Sequence, residues 1–253
     1  MRACRRHLLL LFALALLPEV ATPSELMLEK ATYGIYFAFI RVGTAQTTLY
    51  HDPQNGTYRV VSTAKTIGII DKIYRVRDKM ESLFTKECFL KYKARIREGH
   101  YHRDDLILYD PQSRTLTYFR NGKLKRKAHL PPPIFDMVSA YYAFRSRYLK
   151  STGALPFLVT SGKRDVRPRV VHRERRTISV NGTKLTASRI LLFVPVKGLL
   201  VSRNPKKPTV LFVEPSTGAV LKSVVPTRWG SIKVVLKKLR RENTAFSLTY
   251  ASN

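Results

Sequence analysis

The feature that most restricts the fold of this chain is an alternation of side-chain character between residues 74 and 97. From Tyr74 to Phe84 the even positions are mostly apolar and the odd positions mostly charged; from Leu90 to Arg97 every even position is apolar and every odd position is basic. Successive side chains of a β-strand point to opposite faces, so this period of two predicts strands with one buried and one wet face. The outward faces then carry seven cations: Arg75, Arg77, Lys79, Lys91, Lys93, Arg95 and Arg97.

Turn-forming sequences separate the alternating runs. Asn121-Gly122 and Asn181-Gly182 can supply the positive φ angles that tight hairpins need. A third alternating run extends from Val166 to Arg175. We expect about a dozen strands in an antiparallel meander, without the recurring repeat that marks a propeller or solenoid. The predicted fold is mainly β: a curved or spiral antiparallel sheet, half-barrel or barrel-like, with one packed α-helix.

The stretch from Ile134 to Leu149 lacks the alternation. It follows three consecutive prolines and predicts a helix of about four turns, capped by Asp136, that covers the open side of the sheet. Tyr141, Tyr142 and Tyr148 lie on this helix. These tyrosines are candidates for the floor of a ligand cavity, and the alternative is that they belong to the core.

The first 24 residues have the composition of an export signal. Three arginines precede an unbroken apolar run from Leu8 to Leu17, and small residues follow near Ala21. The run is about half the length of a membrane-spanning helix, which favours cleavage. An uncleaved anchor is the alternative, because Glu19 occupies a position where a small side chain is preferred. Residues 25–253 are then expected to form a single β-rich domain without a transmembrane span.

The chain is strongly basic, with 46 Lys and Arg against 17 Asp and Glu and a formal net charge of +29. Such a charge selects anionic partners. Nucleic acid would be the first candidate in a cytosolic protein, but export argues against it. We therefore expect an anionic lipid, lipopolysaccharide or cell-wall polymer as the partner.

The sequence offers little reactive chemistry. His100, His102 and Asp104 occupy alternate positions and would share one face of a strand, which makes them a weak metal-site candidate that lacks a further ligand. Cys88 is the one cysteine after the signal, so no intramolecular disulfide is expected, and no histidine is placed to activate its thiol. We predict no catalytic residue, no metal and no cofactor.

Asp71 and Asp78 are surrounded in the sequence by Lys72, Arg75, Arg77 and Lys79. Cations stabilise a neighbouring carboxylate as the anion. These two aspartates are therefore expected to form structural ion pairs and not to act as general acids.

Several motifs follow one another along the chain: Tyr33–Tyr36, Val42–Ala45, Ile67–Asp78, Ile96–Gly99 with Tyr101, Asp136–Tyr142 and Pro226–Ser231. In this order they resemble the domain-of-unknown-function family DUF3108 of exported bacterial proteins. The resemblance covers almost the whole chain after the signal. It implies an antiparallel, β-rich protein in the periplasm of a Gram-negative bacterium, and it carries over no catalytic residue.

Three functions follow from these observations. The first is a non-enzymatic envelope protein that binds an anionic or amphiphilic component through its basic strands or an apolar interior. The second is a scaffold that binds another envelope protein by adding a strand at a sheet edge. The third is a hydrolase whose site is assembled from distant loops and is not visible in the sequence.

Overall fold

The computed structural model of this chain describes residues 25–194, 207–227 and 230–242. The expected signal peptide, residues 1–24, lies outside these ranges, as does part of the Pro226–Ser231 motif. No helix within the described ranges is long and apolar enough to cross a bilayer.

Strands dominate the described residues, and both helices are short. In chain order the elements are β1 (Leu26–Phe37), β2 (Ile40–Asp52), β3 (Thr57–Thr66), α1 (Gly68–Ile73), β4 (Arg77–Phe84), β5 (Phe89–Glu98), β6 (Tyr101–Asp110), β7 (Thr115–Arg120), β8 (Lys123–His129), β9 (Ile134–Asp136), α2 (Ser139–Arg147), β10 (Gly153–Ala154), β11 (Leu158–Thr160), β12 (Asp165–Val166), β13 (Arg169–Val180), β14 (Thr183–Phe193), β15 (Thr209–Val213), β16 (Val220–Thr227) and β17 (Gly230–Arg241).

Fourteen strands form one large, curved antiparallel sheet in the order β10-β13-β14-β15-β16-β17-β1-β2-β3-β4-β5-β6-β7-β8. Most neighbours are consecutive in the chain, as expected for a meander, but β17 pairs with β1 and so joins the two ends of the described chain. A second sheet has three short strands, β12-β11-β9, in which β9 and β11 run parallel. The mainly β prediction is confirmed. The described residues form 17 strands, more than the expected dozen, mainly because four of them, β9 to β12, are very short strands of only two or three residues.

The predicted alternation decides which face of each strand is buried. On β5 the side chains of Tyr92, Ala94 and Ile96 are buried, while those of Lys91 and Lys93 are exposed. The Val166–Arg175 run is not one strand, however. It is divided between β12 and β13, and Arg167 and Pro168 lie between them. Proline has no backbone N–H to donate to a ladder, which explains a break at this position.

Tight turns close the hairpins where the sequence predicted them. Asn121 and Gly122 join β7 to β8 with φ angles of 48° and 75°, and Asn181 and Gly182 join β13 to β14 with 52° and 83°. Both residues of each turn are in the left-handed region that asparagine and glycine tolerate.

The predicted helix is shorter than expected. Ile134–Asp136 forms β9, whose three side chains are buried and whose backbone pairs with β11, and α2 begins only at Ser139. Asp136 still serves the helix start, because its Oδ1 accepts the backbone N–H groups of Val138 and Ser139 at 2.8 and 3.1 Å. The other helix of the described residues, α1, was not predicted.

Helix α2 links two parts of the apolar core. Tyr142 packs in a cluster formed mainly by the inner faces of β4 to β7, whereas Ala143 and Phe144 pack in a second cluster with Val170 and Ile190 of β13 and β14. Because both clusters lie on the inner side of the sheet, the outer side of β4 and β5 is left free for charged side chains.

Candidate anion-binding surface

The outer face of β4 and β5 carries a concentration of cations. Strand pairing places Lys79 directly opposite Arg95, Glu81 opposite Lys93, and Leu83 opposite Lys91. Their backbones are hydrogen-bonded in an antiparallel ladder, so these side chains form two neighbouring rows on one surface.

Two of the seven predicted anion-binding residues are neutralised within the fold. Arg77 donates two hydrogen bonds to the carboxylate of Asp71, at 2.6 and 2.8 Å, and these hydrogen bonds hold the pKa of Asp71 well below its usual range. Arg97 binds Asp104 in the same manner at 2.8 Å and lowers its pKa. The ion pairing predicted for Asp71 is confirmed, and Arg77 and Arg97 are engaged by carboxylates.

Four cations of this surface are exposed and, among the described residues, have no carboxylate within 4.0 Å. We call them the four-cation patch: Lys79, Lys91, Lys93 and Arg95. The nearby Glu81 is drawn instead to Arg59, at 3.7 Å. Arg75, the remaining candidate, is exposed but precedes β4, so it lies at the end of the patch.

The geometry of the patch suits a ligand with several negative charges. Lys91, Lys93 and Arg95 alternate along one strand, which separates them by about 7 Å each. Like charges directly opposite each other, such as Lys79 and Arg95, destabilise a sheet unless an anion lies between them. The arrangement can therefore bind phosphate or carboxylate groups but has no group positioned for bond-breaking chemistry.

A second set of charged groups lies on the inner face of β6 and β7. Asp105 is buried and accepts hydrogen bonds from Arg120 Nε and from the Tyr118 hydroxyl, both at 2.9 Å, and it forms an ion pair with Arg103 at 2.9 Å. Burial, together with the Asp105 carboxylate, raises the pKa of Tyr118 to about 12. The carboxylate of Asp105 is fully compensated, which is typical of a structural group.

Asp78 does not form the predicted ion pair. It is 3% exposed, its Oδ1 accepts the backbone N–H of Arg97 at 2.9 Å, and burial raises its pKa. Glu98 lies beside it, and burial and the charge of Asp78 raise the pKa of Glu98 as well. The prediction was wrong because Arg77 and Lys79 are neighbours of Asp78 in sequence but point to the opposite face of β4.

The three tyrosines proposed as a cavity floor all have partners in the fold. Tyr142 is buried against Phe84, with ring centroids 6.0 Å apart, and Tyr148 packs on Phe157 at 5.4 Å. The Tyr141 hydroxyl donates to the carbonyl of Gly218 at 2.9 Å. Packing of this kind is what the core alternative predicts for these side chains.

The weak metal candidate is not assembled. His100 lies in the turn before β6, while His102 and Asp104 are exposed on the strand, and Asp104 is bound by Arg97. Within the described ranges, no three His, Cys, Asp or Glu side chains come together as metal ligands. Cys88 is buried, and burial raises the pKa of its thiol, so it is not activated as a nucleophile.

Structural comparison supports the fold. A crystal structure described as a beta-barrel-like protein of domain of unknown function DUF1849 from Brucella abortus is similar to this chain, with a TM-score of 0.57 and 9% sequence identity. The match covers 86% of this chain and 99% of that one. At this identity the similarity concerns the fold alone.

Sequence comparison settles the family. No curated protein matches the chain. The family model described as "Protein of unknown function (DUF3108)" matches residues 32–237, which include the second half of β1, all of β2 to β16 and most of β17. The chain therefore belongs to the DUF3108 family.

Proposed function

We propose that this protein is a non-enzymatic, exported envelope protein that binds a phosphate-bearing component of the cell envelope through the four-cation patch. The export signal of residues 1–24 and the net charge of +29 support this proposal. The periplasm of a Gram-negative bacterium is the proposed location. Anionic phospholipid, lipopolysaccharide and phosphorylated cell-wall polymers all present the required charge there.

The observation that carries the proposal is the pairing of Lys79 with Arg95 across two strands. Nearby carboxylates could have neutralised this pair, but Asp104 binds Arg97 and Glu81 binds Arg59. The fold thus pairs the cations around the patch with carboxylates and leaves the four patch cations without an ion pair within 4.0 Å among the described residues, although Asp104 lies opposite Arg95 on β6. An external anion would remove the repulsion between the rows.

The scaffold alternative has less support. Strand addition requires an open edge, and among the described residues the large sheet has two. One is residues 171–180 of β13, because the two-residue strand β10 covers only Arg169 and Val170, and this edge exposes Arg175 and Arg176; the other is β8. Strand β8 exposes Lys123, Lys125 and Lys127 at alternate positions. Lysines on an edge strand are a common device against pairing with another chain.

The enzyme alternative has one structural nominee, the pair of carboxyl groups of Asp78 and Glu98 with raised pKa values. Paired carboxyls of this kind occur in active sites. Asp78, however, is buried and uses one oxygen to accept the backbone N–H of Arg97, which is a structural role. We therefore favour binding over catalysis.

A charge-reversal experiment tests the proposal. The variant K91E/K93E/R95E removes three cations of the patch, and K123E/K125E/K127E makes the same charge change at alternate positions of β8. Binding to phosphatidylglycerol vesicles and to soluble polyphosphate is measured for both. At about 1 kcal/mol per cation near an anionic surface, the patch variant loses about a hundredfold in affinity.

The matched variant separates the patch from net charge. We expect K123E/K125E/K127E to lose less than about tenfold, because its cations lie outside the patch. Equal losses in the two variants would show that net charge alone drives binding and would contradict the proposal. If only the patch variant loses affinity, native mass spectrometry of protein purified from its own envelope would identify the ligand, as the component that co-purifies with the parent and not with the patch variant.

A further inference from the structure

The hairpin between β1 and β2 presents apolar side chains to solvent. Phe39 is 93% exposed and Ile40 is 65% exposed, and Phe37 beside them is also exposed. Ala38, at the turn, has a φ of 51°, in the left-handed region that favours glycine. The hairpin thus ends in apolar residues where polar turn residues are usual.

Helix α1 also presents its apolar side to solvent. Ile69 and Ile73, four residues apart and so on one helix face, are 71% and 75% exposed. The polar side is turned to the sheet, because Asp71 accepts hydrogen bonds from Arg77 and from the Thr66 hydroxyl at 2.6 Å each. This orientation is the reverse of the usual one for a surface helix.

The hairpin and α1 lie at the same end of the sheet. The backbone N–H of Ile67, just before α1, donates to the carbonyl of Val42, just after the hairpin, at 3.1 Å. Tyr74 follows α1 and is half exposed beside Gly99. We call this surface the apolar rim, and its members are Phe37, Phe39, Ile40, Ile69, Ile73 and Tyr74.

Cations flank the apolar rim. Arg41, Lys72 and Arg75 are exposed next to its members, and Lys233 Nζ lies 5.6 Å from the centre of the Phe39 ring. The acidic Asp71 is neutralised by Arg77. The rim therefore combines exposed aromatic and aliphatic side chains with an excess of positive charge.

We infer that the apolar rim docks on the surface of an anionic lipid bilayer. Single exposed apolar residues are ordinary, but a cluster at one end of a molecule marks an interaction site. Basic side chains are attracted to anionic headgroups, and aromatic side chains partition into the headgroup region. This inference rests on the proposed function, which supplies the negative charge of the ligand. It adds that the charge is presented by a lipid bilayer and not by a soluble polymer.

Two variants with equal numbers of substitutions test the inference. F39S/I73S changes the rim, and L26S/V171S changes two exposed apolar side chains elsewhere. Affinity is measured for phosphatidylcholine vesicles with and without phosphatidylglycerol, and for polyphosphate. Because docking would bury both substituted side chains in the bilayer surface, F39S/I73S loses at least about a hundredfold in affinity for the anionic vesicles and nothing for polyphosphate. L26S/V171S binds as the parent does.

A third variant reports insertion directly. Phe39→Trp adds an indole at the hairpin tip. The fluorescence that this indole adds to that of the parent is expected to shift to shorter wavelengths when anionic vesicles are added. This readout is independent of any effect of F39S/I73S on folding. An emission that does not change with vesicles would overturn the inference, as would equal vesicle affinity of F39S/I73S and the parent.

The remaining outcomes separate the inference from the proposed function. If the parent binds polyphosphate but not vesicles, rim docking is overturned and the function of the patch stands. If vesicle binding requires Phe39 and Ile73 but survives K91E/K93E/R95E, rim docking is supported and the patch is overturned.

Discussion

Glu29 and Arg145 are 116 residues apart in the sequence and form a bidentate ion pair inside the protein, with both N–O distances at 2.8 Å. Arg241 donates a further hydrogen bond to Glu29 at 2.9 Å. Burial alone would raise the pKa of Glu29, but the two arginines outweigh it and hold the pKa below its usual value. Glu29 and the two arginines thus join α2 to β1 and β17, the strands at which the two ends of the described chain meet.

Removing one partner of this pair should be costly. Arg145→Met leaves Glu29 buried with one cation instead of two, and we expect a loss of about 3–5 kcal/mol in the free energy of unfolding, measured with urea. Arg147→Met is the matched control on the same helix, since Arg147 pairs with the exposed Glu87 and should cost less than about 1 kcal/mol. Similar losses in both variants would contradict a special role for the buried pair.

The loop after β11 is closely packed on Tyr118. A Cβ on Gly162 would lie 2.7 Å from the Tyr118 ring, whereas a Cβ on Gly122 would have nothing within 4 Å, although the φ angles of the two glycines are +78° and +75°. Both alanine variants incur the left-handed strain of roughly 1–2 kcal/mol. We expect Gly162→Ala to cost about 1–3 kcal/mol more, because only it overpacks a buried ring. Equal unfolding free energies would mean that the ring moves aside without cost.

Asp78 should make stability depend on pH. Its folded-state pKa is raised, so the folded protein holds the proton more tightly than the unfolded chain, and stability falls as pH rises from the normal carboxyl range through the folded-state pKa. Asp78→Asn keeps the acceptor for the Arg97 N–H and removes the charge. We expect this variant to be more stable than the parent at neutral pH and equal to it in acid, by urea denaturation between about pH 4 and pH 8.

Asp71→Asn is expected to change stability in the direction opposite to Asp78→Asn. The folded-state pKa of Asp71 is lowered by Arg77 and Thr66, so its contribution to stability is present above the unfolded pKa and lost as pH falls through the folded-state pKa. This variant should lose stability at neutral pH and match the parent only in acid. If both aspartate variants changed stability in the same direction, the assignment of their environments would be wrong.

A buried hydrogen-bonded cluster holds the start of α2. Asp136 is fully buried, and its carboxylate accepts hydrogen bonds from the hydroxyl groups of Ser82 and Ser139. Its own backbone N–H donates to Ser139 Oγ at 3.1 Å. Ser139→Ala leaves these groups partly unsatisfied and should cost about 1–3 kcal/mol of unfolding free energy. Ser146→Ala, on the same helix, removes a hydroxyl that donates to a carbonyl within the helix and should be near neutral, because alanine has the higher helix propensity. A neutral Ser139→Ala would show that the cluster does not stabilise the fold.

Much of the secondary structure followed from local sequence. The period of two predicted the buried faces of β4 and β5, and Asn-Gly pairs predicted two hairpins. Local patterns were less reliable where strands are very short: Ile134–Asp136 was expected to be helical, but its residues are buried on β9 by pairing with β11. Helix α1 escaped prediction because its exposed isoleucines lack a sequence pattern that marks a surface helix.

The candidate site was predictable only in part. The seven cations were visible in the sequence, but which of them remain available was not, because Asp71 and Asp104 neutralise Arg77 and Arg97 in the folded protein. The apolar rim was missed altogether, since its residues come from two segments of the chain that are brought together in the fold, where Ile67, just before α1, donates a hydrogen bond to Val42 of β2.

The sequence by itself determined the β class, the alternation of buried and basic faces, and the turns, because these depend on the stereochemistry of neighbouring residues. Tertiary structure alone decided which charges are paired, such as Glu29 with Arg145, and which are buried, such as Asp78. Electrostatic and hydrogen-bond energies depend on separations of a few ångströms and on burial. Those separations are set by the pairing of strands distant in the chain, which local sequence patterns do not encode.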